Sequence, residues 1–154
     1  MQSGARYRQQ DSGQTLAEGL EEYYTLNAGV VTRPRELPPE SMALFRSHDM
    51  CHVIFGLGTS LEDEAVADTR TLLSSDVGMR RYAEYLTQDK QAKAIFARAG
   101  YLTVFGATLR AMPRILRAAW ECRRTHKRWP WTPPQSHLAR PLRELRREYG
   151  IRVV

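Results

Sequence analysis

Cysteine is scarce in this chain of 154 residues, which contains two, Cys51 and Cys122. They lie 71 positions apart and form no CxxC pair, so the sequence predicts neither a disulfide framework nor a thiolate zinc cluster. We therefore expect a reducing compartment. Long apolar runs are also missing, because the longest stretch without Asp, Glu, Lys or Arg runs from Met50 to Leu61. That stretch is far shorter than the roughly 20 residues of a helix that spans a bilayer.

Acidic residues are few in the C-terminal part of the chain. Residues 96–154 carry thirteen Lys or Arg against three Asp or Glu, whereas residues 1–95 carry ten against fourteen. This asymmetry indicates contact with something anionic, for which phosphorylated lipid, nucleic acid and a membrane surface are all admissible. A basic face that is simply solvated explains the pattern equally well.

No stretch alternates apolar and polar residues with period two, and apolar residues recur instead at helical spacing. We therefore predict an all-α fold, a bundle of about six helices. A flexible N-terminal tail is expected over residues 1–14 and a single helical domain over residues 15–154. The predicted helices cover 15–26, 39–55, a stretch beginning at 61, 77–98, 101–128 and 140–149, with a joint at Gly100.

The residue pattern richest in chemistry is formed by His48, Asp49, His52 and Glu64. On a helix, positions 48 and 52 are one turn apart and Asp49 lies within about 100° of His48, so the three side chains can converge. Glu64 opens the next helix and can supply a fourth ligand or a base. Imidazole and carboxylate donors suit a divalent metal such as zinc, iron or manganese. The alternative is a pair of polar histidines on the helix surface, or a satisfied pair in the core.

This spacing, His48-Asp49-x-x-His52, eleven residues and then Glu64, is similar to the signature of the ubiquinone (coenzyme Q) biosynthesis protein Coq four family. The residues around the motif resemble the core of that family, and the C-terminal segment resembles its closing segment. The matching segments are residues 48–53, 56–61 and 141–151, and together they bracket about residues 37–152.

The resemblance implies an all-helical protein that binds a divalent metal through His48, Asp49, His52 and Glu64, with zinc as the first choice and iron or manganese as alternatives. It implies a role in ubiquinone biosynthesis on a prenylated precursor at a membrane surface. The activity implied is metal-dependent oxidative decarboxylation at ring carbon 1, with the metal ligands as the candidate catalytic groups. The alternative is a non-catalytic, lipid-binding organiser of the quinone-biosynthesis complex.

The resemblance also implies partners and a location. The expected partners are the prenylated precursor or another isoprenoid lipid and the other quinone-biosynthesis enzymes, with a homodimer left open. Nucleic acid is not expected for a separate reason, because no standard binding motif is present and the acidic N-terminal half would repel phosphate. The expected location is the bacterial cytoplasm, peripheral to the inner membrane, or the matrix side of the mitochondrial inner membrane in a eukaryote.

A prenyl tail needs an apolar groove, and the helix predicted over residues 101–128 offers candidates for one. The apolar candidates are Leu102, Phe105, Leu109 and Met112, and the candidates for an acidic head group or lipid phosphate are Arg110, Arg114 and Arg117. Such an apolar stripe is also typical of plain core, and such an arginine row of a solvated face. Trp129 and Trp131 suit either a membrane interface or the end of the bundle.

Overall fold

The computed structural model describes residues 4–33, 36–88 and 90–153, without side-chain detail at residues 40, 88–99 and 101. In that part of the chain the regular structure is helical, with seven α-helices, one 3-10 turn at Arg6–Arg8 and no strand. The all-α prediction is confirmed. The α-helices are α1 (Leu16–Leu26), α2 (Pro39–Phe55), α3 (Leu61–Ser74), α4 (Gly78–Gln88), α5 (Lys90–Cys122), α6 (Gln135–Leu138) and α7 (Leu142–Tyr149).

The N-terminal segment is packed against the domain, so the predicted flexible tail is wrong for the described residues of that stretch. Tyr7 is 1% exposed and belongs to the core, and its hydroxyl donates to the Leu57 carbonyl at 3.0 Å. Glu22 of α1 accepts hydrogen bonds from the backbone N–H groups of Arg6 and Tyr7. These are long-range contacts, and local composition gives no sign of them.

Helix α2 ends at Gly56, as the sequence predicts, and the residue type is required there. Gly56 has φ +73°, a left-handed conformation that favours glycine, and the Leu57 N–H donates back to the His52 carbonyl at 2.8 Å. A Cβ on Gly56 would lie 2.6 Å from Cγ1 of Val153. The turn therefore reverses the chain and leaves room for the C-terminal segment.

Helix α3 begins one turn later, because Ser60 accepts a hydrogen bond from the Asp63 N–H at 3.1 Å and caps the helix. Asp63 is buried, and its carboxylate accepts from the Gly58 N–H at 2.9 Å and from the guanidinium groups of Arg8 and Arg114 at 3.0 and 2.6 Å. Together these bonds stabilise the tight α2–α3 hairpin.

Helix α5 packs chiefly against α3, and its chain direction changes at Gly100, where φ is +75°. The buried face of α5 consists of small side chains, Ala107, Ala111 and Ala118. The large apolar side chains lie on the opposite side and are exposed, so their interpretation as plain core is wrong. They are Leu102, Phe105, Leu109, Met112, Leu116 and Trp120.

The connector after α5 folds back onto the end of α3. The backbone N–H of Trp129 donates to the Ser74 carbonyl at 2.7 Å, and the backbone N–H of Trp131 donates to Asp76 Oδ1 at 2.6 Å. Both indole rings are buried, so the interpretation of the two tryptophans as membrane-interface anchors is wrong. Among the described residues, we find no helix with the length and apolar content needed to cross a bilayer.

Helix α7 is joined to α2 through the fully buried side chain of Arg146. Its guanidinium donates to the carbonyls of Val53 and Ile54 at 2.9 Å each and to the carbonyls of Tyr7 and Gln9 at 2.5 Å each. Burial, together with the charge of a nearby arginine, lowers the pKa of Arg146 to about 10. Arg146 therefore caps the carbonyl end of α2, the helix that carries the two histidines of the motif.

Candidate metal centre

The α2–α3 hairpin arranges four donor side chains as two facing pairs. His48 and His52 are one turn apart on α2, and Glu64 and Asp68 are one turn apart on α3. Because the helices run in opposite directions across the Gly56 turn, His52 Nε2 faces Glu64 Oε2 at 3.4 Å and His48 Nε2 faces Asp68 Oδ1 at 3.9 Å.

Three of these residues, His48, His52 and Glu64, each place a ligand atom within 4.8 Å of the other two. The side chains of His48 and His52 are 5% and 0% exposed, whereas that of Glu64 is 34% exposed. The group therefore has a buried imidazole side and a carboxylate that reaches solvent. Two imidazoles and one carboxylate are a common ligand set for zinc and for other divalent transition metals.

The ring nitrogens show that the histidines are not satisfied by protein partners alone. Nε2 of His48 and both nitrogens of His52 are buried and make no hydrogen bond in the described part of the chain. The 3.4 Å contact to Glu64 is an ion contact without hydrogen-bond geometry. A buried polar atom without a partner costs about 1–3 kcal/mol, so the interpretation as a satisfied core pair is disfavoured. A cation bound among the rings would supply the missing partner.

Aromatic side chains fix the orientation of the two imidazoles. The Tyr85 hydroxyl lies 3.1 Å from His48 Nδ1, and the two rings stack with centroids 4.3 Å apart. The His52 ring stacks on Tyr23 at 5.4 Å. A hydrogen bond at Nδ1 leaves Nε2 of His48 for a metal, which is the arrangement usual for metal-bound histidine.

Asp49, the fourth ligand predicted from the sequence, lies outside the group of three. It is buried, and its Oδ2 accepts a hydrogen bond from the Tyr24 hydroxyl at 2.9 Å. Burial raises the pKa of Asp49 to about 6, although the charge of His48 and the hydrogen bond from Tyr24 act to lower it. In this geometry Asp49 anchors α1 to α2 beside the histidines.

The His52–Glu64 pair is electrostatically coupled. Burial acts to lower the pKa of His52, but the carboxylate of Glu64, with smaller contributions from Asp49 and Asp68, outweighs it and raises the pKa to about 9. Burial likewise acts to raise the pKa of Glu64, and the charge of His52 outweighs it and lowers that pKa. Without a cation, a proton on His52 compensates the carboxylate, and a metal would take the place of that proton.

Sequence reasoning missed Asp68, Tyr24 and Tyr85. A signal for Asp68 existed, because it follows Glu64 by one helical turn as His52 follows His48. The tyrosines carried no such signal, since they come from α1 and α4 and meet the motif only in the folded chain. Tyr82, also on α4, donates a hydrogen bond to Asp68 and holds that carboxylate in place.

The remaining predicted site residues lie on α5, and none of them belongs to the group of ligand atoms formed by His48, His52 and Glu64. The four apolar candidates, Leu102, Phe105, Leu109 and Met112, form an exposed row. Arg114 is engaged by Asp63 at 2.6 Å, and Arg110 faces Glu62 at 3.9 Å. Arg117 makes no ion pair in the described part of the chain and is exposed.

Comparison with known protein families, with curated proteins and with solved structures finds no match to this chain.

Proposed function

We propose that this protein binds one divalent cation on His48, His52 and Glu64 and acts in isoprenoid-quinone biosynthesis. The observation that carries the metal site is the convergence of ligand atoms of His48, His52 and Glu64 within 4.8 Å of one another, on buried rings whose facing nitrogens make no hydrogen bond in the described part of the chain. Protein interiors rarely leave such groups unsatisfied. A cation resolves the deficit for both histidines at once.

The ligand set favours zinc, with iron or manganese as alternatives. Three protein ligands leave a coordination position open, as catalytic sites do. When bound, such a cation supplies Lewis-acid chemistry at an oxygen of the substrate. The chain's own contribution is to hold His48 by Tyr85, to exclude water on the imidazole side and to leave the Glu64 side accessible. Asp49 and Asp68 are the two nearby carboxylates that can complete or adjust the site.

The assignment to quinone biosynthesis rests on the resemblance of three segments, residues 48–53, 56–61 and 141–151. One contact gives that combination a structural rationale. Arg146, from the third segment, donates to the carbonyls of Val53 and Ile54 at the end of the first. The third segment is thus in contact with the end of the helix that carries the two histidines. Oxidative decarboxylation of a prenylated hydroxybenzoate-type precursor is the activity proposed, with dioxygen as the oxidant and the carboxyl group leaving as carbon dioxide while a hydroxyl group takes its place. That reaction would need iron or manganese, because zinc has no redox chemistry. Organisation of partner enzymes is the alternative.

We further propose that the exposed row on α5 contacts isoprenoid lipid or the surface of an anionic membrane. Leu102, Phe105 and Leu109 are more than half exposed, and large apolar side chains in one row on a helix are typical of interfacial helices. Arg117, which is exposed and makes no ion pair in the described part of the chain, is suited to lipid phosphate. Arg124 also lies over the Trp120 ring at 4.1 Å, next to the same row.

Metal content tests the site directly. Untagged native protein, analysed by elemental mass spectrometry, is expected to carry one equivalent of zinc, iron or manganese. His48→Ala and Glu64→Ala are each expected to lose it, because each removes one of the three protein donors that hold the ion. Asp49→Asn and Asp68→Asn separate the two candidate fourth ligands. Substitution of a carboxylate that binds the ion is expected to lower metal affinity by more than the loss of about 10–100-fold that is typical of a residue that only supports a ligand.

His137→Ala is the matched control, because His137 is a buried histidine that contacts the Tyr149 hydroxyl at 2.9 Å and lies outside the metal group. It is expected to retain the full equivalent. Absence of metal in native protein, even after reconstitution, would contradict the proposal. If metal-loaded protein converts a carboxylated prenyl-phenol, the enzymatic function is favoured. If it binds lipid but converts no such substrate, the role as a non-catalytic organiser is favoured.

Vesicle binding tests the lipid surface. Phe105→Glu/Leu109→Glu is expected to weaken co-sedimentation with phosphatidylglycerol vesicles at least tenfold, because each apolar side chain contributes about 1.5–3 kcal/mol when buried. The matched control is Leu73→Glu/Met79→Glu, which adds the same charge at exposed apolar positions of α3 and α4. Equal loss in both variants would show that charge, and not the α5 row, governs binding.

A further inference from the structure

A strongly basic cavity lies near the C-terminal end of α2. It is a cavity of about 370 Å³ between the loop after the 3-10 turn, the end of α5, α7 and the C-terminal segment. Asp11 is the acidic residue among the described residues that line it. The arginines that line it are Arg124, Arg143, Arg146, Arg147 and Arg152.

The positive charge of this cavity is not neutralised by the protein. Arg124, Arg143, Arg147 and Arg152 are exposed and take part in none of the ion pairs found in the described part of the chain. Elsewhere on the same surface the opposite holds. Glu148 of α7, for example, is shared by Lys127 at 2.5 Å and Arg140 at 2.6 Å. The cavity is therefore a place where basic side chains outnumber the single acidic one, Asp11, and four exposed arginines make no ion pair in the described part of the chain.

The backbone that carries these arginines is fixed by hydrogen bonds. Gln10 bridges the cavity wall, donating from Nε2 to the Ile151 carbonyl at 3.1 Å and accepting from the Val153 N–H at 2.7 Å. The Arg143 N–H donates to the Ser12 carbonyl at 3.0 Å. Arg143 and Arg147 are one turn apart on α7, so two like charges are held as neighbours, which is unfavourable without a counter-charge. The wall is thus preformed, and an anion would relieve the repulsion.

We propose that this cavity binds a compact anion that carries phosphate, as a soluble phosphate or pyrophosphate compound or as a phosphorylated head group. Guanidinium forks match phosphate oxygens in pairs, and arginine is preferred where such planar recognition is used. The volume lies in the range of small-ligand sites. The site is separate from the metal centre, since none of His48, His52 and Glu64 lines it.

Titration calorimetry with inorganic pyrophosphate tests the proposal. Native protein is expected to show one saturable site, and Arg143→Gln and Arg147→Gln are each expected to bind about tenfold more weakly, because a charge-assisted hydrogen bond is lost. Arg147→Lys keeps the charge but loses the paired N–H donors of the guanidinium. Its affinity for pyrophosphate is expected to lie between those of the native protein and Arg147→Gln. Arg81→Gln, an exposed arginine on α4 that makes no ion pair among the described residues, is the matched control and is expected to bind like the native protein.

The same measurements separate the sources of the phosphate and the two sites. Binding to phosphatidic acid vesicles that pyrophosphate displaces identifies a head group, whereas pyrophosphate binding without vesicle binding identifies a soluble ligand. His48→Ala is expected to keep the native pyrophosphate affinity, so failure of the metal site leaves this test unaffected. Absence of saturable binding, or equal weakening by Arg81→Gln and Arg147→Gln, would overturn the proposal.

Discussion

Arg146→Met is expected to lower the free energy of unfolding by about 4 kcal/mol or more, the largest loss expected from a single substitution in this chain. Five backbone carbonyls accept hydrogen bonds from this fully buried guanidinium, those of Tyr7, Gln9, Gln10, Val53 and Ile54. Methionine fills a similar volume but donates nothing. Because small domains are stable by about 5–15 kcal/mol, the variant is expected to be close to its unfolding threshold.

Urea unfolding followed by circular dichroism measures the loss, and two neighbouring substitutions sharpen it. Arg147→Met makes the same chemical change at the next residue, where the side chain is exposed, and is expected to change stability by less than about 0.5 kcal/mol. Arg146→Lys keeps the charge, but one ammonium cannot reach carbonyls on both sides of the guanidinium, so most of the loss is expected to remain. A loss in Arg147→Met as large as in Arg146→Met would contradict this account.

The effect of Arg146 is expected to extend to the metal centre. Its bonds to the carbonyls of Val53 and Ile54 hold the last turn of α2, directly after His52. At a temperature where Arg146→Lys is still folded, its metal affinity is expected to be lower than that of the native protein. Arg147→Met supplies the comparison, with unchanged affinity expected.

The ends of a helix can be predicted from the sequence where a single residue, such as proline or glycine, favours the beginning or the end of a helix. Helix α2 runs over Pro39–Phe55 as predicted, because proline suits a first helical turn and Gly56 takes the left-handed conformation that ends the helix. The joint at Gly100 is likewise confirmed by its φ of +75°. Each of these limits depends on the conformational preference of one residue.

Features that depend on long-range contacts could not be predicted in this way. Tyr7 is ordered by Leu57 and Arg146, which are 50 and 139 positions away in the sequence. The apolar stripe of α5 showed that the helix is amphipathic, but not which face meets the domain. Alanines on the opposite side allow a close approach to α3, and this leaves Phe105 63% exposed.

In the candidate site, too, some positions follow from spacing along the chain and others depend on long-range contacts. The spacing of His48, His52 and Glu64 predicts their convergence, because one helical turn and one tight hairpin determine it. Asp49 is adjacent to His48 and about 100° around the helix, so spacing alone allows it to face the metal or α1. In the structure its Oδ2 accepts a hydrogen bond from the Tyr24 hydroxyl on α1, a contact that the spacing does not indicate. The carboxylate opposite His48 is that of Asp68. Its place follows from the antiparallel hairpin, which sets Asp68 of α3 across from His48 of α2.

Metal binding is expected to stabilise the native protein strongly. Zinc at about 1,000 times its dissociation constant adds about 4 kcal/mol by mass action, which corresponds to a rise of about 8–16 °C in Tm for a domain of this size. The physical reason is that the cation partners ring nitrogens that are otherwise buried without a hydrogen bond. Differential scanning calorimetry with and without a chelator measures the shift, and His137→Ala is expected to keep it.

A variant that lacks both His52 and Glu64 is expected to be at least as stable as the metal-free native protein. His52→Leu/Glu64→Leu replaces both members of the facing pair with apolar groups, and such paired replacement is close to neutral or stabilising by about 1–3 kcal/mol. His52→Leu alone leaves the Glu64 carboxylate without its partner and is expected to be less stable than the double variant. Zinc is expected to shift the Tm of neither variant. A double variant that is clearly less stable than the metal-free native protein would show that the pair contributes to the fold without metal, and would weaken the case that these residues are retained for binding a cation.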